Sequence, residues 1–109
     1  MHIEYIKTTH NYRIARLCGE MDALGCTEIH DELEQIIGQE IGPNIALDLS
    51  DVSFLNSSGI SLIVYLFKRL KSQSRALQII GATGQPQELI HMLRLESAVP
   101  VNSSLDLGK

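Results

Sequence analysis

The sequence contains no tryptophan, and aromatic residues make up only 5% of its 109 positions. That leaves little surface on which nucleic-acid bases could stack. Positive charge is also scarce, with nine Lys and Arg against 13 Asp and Glu and a formal net charge of −4. Phosphate backbones are bound through clustered Lys and Arg, so the balance argues against a DNA or RNA partner. Long hydrophobic runs are missing too. The longest, Ile60 to Phe67 with Ser61 inside it, falls far short of the roughly 20 residues a membrane helix requires. The opening Met1-His2-Ile3-Glu4 lacks a basic-then-apolar signal pattern, and residue 2 is not the glycine that myristoylation needs. Two cysteines, Cys18 and Cys26, are too few for a disulfide scaffold and lack C-x-x-C spacing. Both are expected to be reduced and to act as small core residues. These absences together predict one soluble, cytoplasmic domain without membrane insertion, acting as a monomer.

What is present is a globular balance of 44% hydrophobic and 20% charged residues, arranged as strands alternating with helices. Ile3, Tyr5 and Ile6 precede the polar Thr8-Thr9-His10-Asn11, and Tyr12 to Cys18 follows, which predicts a hairpin. Gly19-Glu20-Met21-Asp22 breaks the strand pattern. Ile29, Leu33, Ile36 and Ile37 then form a one-sided helical stripe starting at Cys26, and Gly38 and Gly42-Pro43 end it. Asn44 to Leu49 alternates cleanly and predicts a central strand, with Ser50 to Ser58 as a polar connection. The next helix is expected from Ser57-Ser58-Gly59 to about Lys71. Its core stripe reads Ile60, Ile63, Val64 and Phe67, with Leu62, Leu66 and Leu70 as a second apolar row on the flank. So wide an apolar face predicts that Leu62 and Leu66 lie beside a partner-binding surface, unless another helix covers them. Leu77 to Gly81 is a further strand. Pro86 suits the first turn of a third helix, whose buried side is Leu89, Ile90, Met92 and Leu93. Val99-Pro100-Val101 reads as an edge strand and residues 102–109 as a tail. The order β-β-α-β-α-β-α-(β) predicts a mixed, mostly parallel sheet of four to five strands with three or more helices.

Several chemistries can be weighed against these positions. Leu55-Asn56-Ser57-Ser58-Gly59 lacks the first glycine of G-x-S-x-G, and His2, His10, His30 and His91 are scattered, so no catalytic triad is expected. The same scatter argues against a metal site. His30 and Glu34 share a helix face at i, i+4, but no third ligand is spaced nearby. Gly81-Ala82-Thr83-Gly84 lacks the lysine of a P-loop and the third glycine of a dinucleotide fingerprint. Asp48 and Asp51 could suggest an aspartyl phosphoacceptor, yet no lysine occurs between Lys71 and Lys109 to steady the phosphate. No cofactor is expected. Lys68, Arg69, Lys71 and Arg75 gather at the end of the second helix, where they complement its dipole or form a basic rim. Ser57 and Ser58 sit where a helix N-cap is expected. The same place suits a phosphoacceptor, because backbone N–H groups at a helix start stabilise an added phosphate.

Leu47-Asp48-Leu49-Ser50-Asp51-Val52-Ser53-Phe54-Leu55-Asn56-Ser57-Ser58-Gly59-Ile60 resembles the signature of the STAS family, the sulfate-transporter and anti-sigma-factor-antagonist domain. That signature runs roughly D-L-S-x-V-x-F-x-D-S-S-G-L. Cys18-Gly19-Glu20-Met21-Asp22 is similar to the family's G-E-L-D turn, and Gly81 to Leu95 to its third-helix region. The resemblance implies a STAS-like fold over residues 1–109 and a non-enzymatic role exercised by binding. It further implies a serine-kinase anti-sigma factor, with a histidine-kinase-like ATPase fold, as partner, and a PP2C-type phosphatase that reverses the kinase. Carried over by position, the phosphorylated serine is Ser57, with Asn56, Ser58 and Gly59 beside it, and Asp22 is the acidic residue of the neighbouring turn. Asn56 stands where the family usually has Asp. The function implied is an anti-sigma factor antagonist switched by phosphorylation. The alternative is a constitutive assembly subunit of a stress-sensing scaffold or lipid-transport complex.

Overall fold

A computed structural model describes residues 1–38 and 42–105. It runs β1 (His2–Thr9), β2 (Tyr12–Met21), α1 (Ala23–Ile37), β3 (Asn44–Leu55), α2 (Ser57–Ser72), β4 (Leu77–Ile80), α3 (Gly84–Met92), a 3₁₀ turn over Leu95–Ser97, and β5 (Val101–Asn102). The strands form a five-stranded sheet in sequence order, β1-β2-β3-β4-β5. The β1–β2 pair is antiparallel and every other pair parallel. His10 and Asn11 close the hairpin with φ of 49° and 63°, the left-handed pair that a two-residue turn between twisted strands demands.

Three successive parallel crossovers step in one direction across the sheet. Right-handed crossovers that never reverse must place α1, α2 and α3 on the same face. The core lies there, with Leu17, Leu47, Leu49, Leu77 and Ile79 meeting Ile29, Leu33, Ile63, Leu66, Leu70 and Ile90. The opposite face carries no helix among the described residues. Its apolar content is Ile14, Ala46 and Ile80, with Tyr12 and Leu105 against them. Leu105 therefore packs on the sheet, whereas the sequence suggested a tail from residue 102; residues 106–109 lie outside those described.

Five expectations need correction. The polar stretch after Leu49 is strand, because β3 continues to Leu55. Two irregularities in the β2–β3 register leave Leu49, Val52 and Leu55 buried at every third position, which hides the period of two that betrays a strand. β2 likewise runs on through Gly19 to Met21. In α2 the fully buried row is Leu62, Ile63, Leu66 and Leu70, while Ile60, Val64 and Phe67 are only partly buried. In α3 only Pro86 and Ile90 are buried, with Leu89 packed partly against the core; Met92 and Leu93 are 74% and 52% exposed, because they fall on the solvent side of the helix end. β5 begins after Pro100, so the prolyl nitrogen is never asked to donate to the ladder.

The basic cluster also divides. Arg75 is buried, with Nε donating to the Pro43 carbonyl at 2.8 Å and Nη1 to the Ile36 carbonyl at 3.3 Å and Gln73 Oε1 at 3.0 Å. It ties the ends of α1 and α2 to the start of β3 and is no part of a rim. Arg69 donates to the Tyr65 hydroxyl, which itself donates to Glu34 and so joins α2 to α1. That bond holds the Glu34 carboxyl below its ordinary value.

Candidate functional site

The parallel strands β2 and β3 end level with each other, Met21 opposite Leu55 in the register. The next residue on each strand starts a helix. Asp22 caps α1, its Oδ1 accepting from the Gly25 N–H at 2.8 Å. Asn56 caps α2, its Oδ1 accepting from the N–H of Ser58 at 3.0 Å and of Gly59 at 3.4 Å. Two helix N-termini thus stand side by side at the carboxyl edge of the sheet. The backbone N–H groups and positive dipole ends there favour added negative charge.

The cap assignment alters the reading of the serines. The sequence placed Ser57 and Ser58 at the N-cap, but the side-chain cap is Asn56, and Ser57 is the first helical residue, exposed to solvent. An amide oxygen accepts these N–H groups as a carboxylate would. Asn56 in place of Asp therefore keeps the cap and drops one negative charge.

Two further features hold this edge in shape. A Cβ on Gly59 would lie 2.4 Å from Leu55 Cδ1 and 2.7 Å from the Met21 carbonyl, so glycine is required for α2 to start so close to both strand ends. Gly59 is buried and offers no surface to a partner, in contrast to the sequence expectation. Gln85, at the start of α3, makes two bonds to Leu55. Its Nε2 donates to the Leu55 carbonyl at 2.7 Å, and its Oε1 accepts the Leu55 N–H at 2.8 Å. β4 pairs with β3 only from Ile45 to Asp48, so Gln85 serves the backbone of Leu55 as a missing strand would. Sequence reasoning overlooked Gln85, and no local signal distinguishes it from any polar residue opening a helix.

The surface around Ser57 mixes acid and exposed apolar groups. Glu20 and Phe54 are register partners across β2 and β3, both exposed, and Leu24 projects from the first turn of α1 at 69% exposure. The apolar patch expected from Leu62 and Leu66 is not on this surface. Leu66 is 2% exposed and Leu62 9%, because α1 packs over that flank of α2. Leu62 forms the floor of a shallow groove walled by Cys26, Thr27, His30 and Asp31.

Neither cysteine is fully in the core; both are free and half-buried. Cys26 sits on that groove, and burial, with the Asp22 charge, raises its thiol pKa. Cys18 lies on the helix-free face of the sheet, where burial and then the bond and charge of Glu4 push its thiol up to about 11. No helix of the described residues is long and apolar enough to cross a membrane.

Comparison with known proteins agrees with this architecture. The chain is 22% identical over 103 residues to the anti-sigma-B factor antagonist of Bacillus subtilis, covering 94% of this chain and 93% of that protein. It is 25% identical over 107 residues to the anti-sigma-B factor antagonist of Staphylococcus epidermidis, covering 98% and 97%. The fold matches the crystal structure of a putative anti-sigma factor antagonist from Thermotoga maritima with a TM-score of 0.82 at 16% identity, over 94% of this chain and 87% of that one. It also matches the anti-sigma factor antagonist SpoIIAA in its unphosphorylated form with a TM-score of 0.69 at 18% identity, over 96% and 90%. The model of the STAS domain matches residues 5–107, and with the one-sided sheet and the paired helix starts in place, the chain belongs to the STAS domain family.

Proposed function

We propose that this protein is an anti-sigma factor antagonist that works by binding, and that phosphorylation of Ser57 switches it off. One observation carries the reading. Ser57 is exposed at the first position of α2 while Asn56 supplies the cap, so its hydroxyl can accept a phosphate without cost to the helix. The partner surface comprises Asp22, Asn56, Ser57 and Ser58, extended by the exposed Leu24 and Phe54. Leu62 and Leu66, buried in the core, take no part in it.

The electrostatics set the direction of the switch. A phosphate adds about −1.5 to −2 charges, and the helix start tolerates it by roughly 0.3–1 kcal/mol. Against a partner carboxylate at about 4 Å, repulsion is about 4 kcal/mol per charge pair at an effective dielectric near 20. Interface repulsion outweighs the local stabilisation, so the phosphorylated form releases its partner. That partner is a serine-kinase anti-sigma factor of the histidine-kinase-like ATPase fold, and a PP2C-type phosphatase resets the switch in the cytoplasm. The names of the sequence relatives support the class of partner.

Incubation with the candidate kinase and ATP, followed by mass spectrometry, tests the reading. Phosphate on Ser57 together with loss of kinase binding is expected. Tight, nucleotide-independent binding with no phosphate on Ser57 would overturn it and make the chain a constitutive assembly subunit.

A further inference from the structure

The helix-free face of the sheet carries two polar rows that run across three strands. His2, Cys18 and Asp51 are register partners from β1 through β2 to β3; Glu4, Arg16 and Asp48 form the next row. Within them, one ligand atom each of His2, Glu4 and Cys18 lies within 4.8 Å of the other two. The Cys18 Sγ donates to Glu4 Oε1 at 3.1 Å, and His2 Nε2 is 3.8 Å from the same oxygen. Asp51 Oδ2 approaches the thiol from the opposite strand at 3.9 Å.

A tetrahedral zinc ion, with sulfur at about 2.3 Å and nitrogen and oxygen at about 2.0–2.2 Å, holds its ligand atoms roughly 3.3–3.6 Å apart. The separations of 3.1 and 3.8 Å bracket that range, and the third, between His2 and Cys18, is within 4.8 Å, so side-chain rotation of about an ångström closes the set. We propose that His2, Glu4 and Cys18 form a zinc site on this face, with Asp51 beside it.

The chemistry of the donors selects the ion. Magnesium and calcium take oxygen ligands, whereas a thiolate with an imidazole suits zinc. Local charge favours a dication: the carboxylates of Glu4 and Asp51 flank the thiol, and Arg16, the nearby cation, sits closer to Asp48, at 3.2 Å, than to Asp51, at 4.0 Å. Binding forms the sulfur–zinc bond and releases the Cys18 proton to solvent. The fold keeps the place open, because all three crossover helices lie on the other side of the sheet. A bound ion would fasten the edge strand β1 to β2, since two ligands come from one and the third from the other.

Zinc titration of the full chain without an affinity tag, under a non-chelating reductant, tests the site, with cobalt as the spectroscopic probe. One saturating zinc equivalent is expected, with a rise in melting temperature on zinc addition and a sulfur-to-cobalt charge-transfer band. Cys18→Ser should abolish the band and the zinc-dependent rise, while Cys26→Ser keeps both. His2→Asn and Glu4→Gln should each weaken zinc binding by about tenfold or more, as loss of even a supporting outer partner does. Circular dichroism should show all four variants folded, since none of these side chains is fully buried and only Cys26 packs against the edge of the core. Absence of saturable binding, or binding that survives Cys18→Ser, would overturn the proposal.

Discussion

Gln85 and Leu55 are joined by two hydrogen bonds, a side-chain amide occupying both the N–H and the carbonyl of one strand residue. That pair fixes the last residue of β3, and the next residue caps the helix that presents Ser57. Gln85→Ala removes both bonds. At about 0.5–1.5 kcal/mol for each, the loss should be roughly 1–3 kcal/mol in urea unfolding. Partner affinity should fall as well, because the end of β3 is no longer held; an unchanged midpoint would show the bonds to be idle.

Asn56 offers a second measurement. Asn56→Ala deletes the cap of α2 and should cost about 1 kcal/mol. Asn56→Asp keeps the cap and places a charge at the positive end of the helix, a gain of roughly 0.3–1 kcal/mol at low salt. A reversed order in thermal unfolding would mean that Asn56 is not the cap.

At Ser57 the expected effects fall on binding alone. Ser57→Ala should leave the melting temperature unchanged, because the cap is not its own, and should bind the kinase without responding to ATP. Ser57→Asp should melt within a few degrees of wild type yet bind about tenfold more weakly, the effect of about 1.4 kcal/mol of surviving repulsion. Calorimetric titration with the cognate kinase reads both.

Leu66 behaves as core. Leu66→Ala should lose about 2–5 kcal/mol of stability, the usual cost of emptying a packed leucine site, while the fraction still folded binds its partner normally. An interface residue would show the opposite split between chemical unfolding and titration.

Acid should act through Asp48. Burial works to raise its pKa, but bonds from the Ser50 backbone and hydroxyl and from Arg16 outweigh it and leave the value lowered from 3.8. A carboxyl lowered on folding contributes stability that is present above its unfolded value and lost as pH falls through the folded one. Asp48→Asn should therefore be less stable than wild type at neutral pH, and the gap should narrow as pH drops below about 3.8. A gap independent of pH in urea midpoints would assign the loss to packing instead of charge.

The order of strands and helices was legible in the sequence because most elements are one-sided. The stripe Ile29, Leu33, Ile36 and Ile37 and the alternation of Ile45, Leu47 and Leu49 each report which face meets the core, and the motif from Leu47 to Ile60 resembles the STAS signature on its own. Periodicity stops being informative where register slips. Past Leu49, two irregularities bury every third residue, so the strand that delivers Asn56 and Ser57 to the edge reads as a loop. The pattern also misassigns the core stripe of α2 to Ile60, Ile63, Val64 and Phe67, since both rows are apolar and the docking of α1 helps to bury Leu62 and Leu66 instead. Scattered residues were the least legible. His2, Glu4 and Cys18 show no ligand spacing along the chain, because cross-strand pairing is set by the hairpin and not by sequence distance. Gln85 reaches Leu55 across 30 residues because α3 packs against β3. Local pattern determines the elements and the face each one buries; contacts between elements depend on long-range packing, and those contacts decided the cap, the brace and the open face.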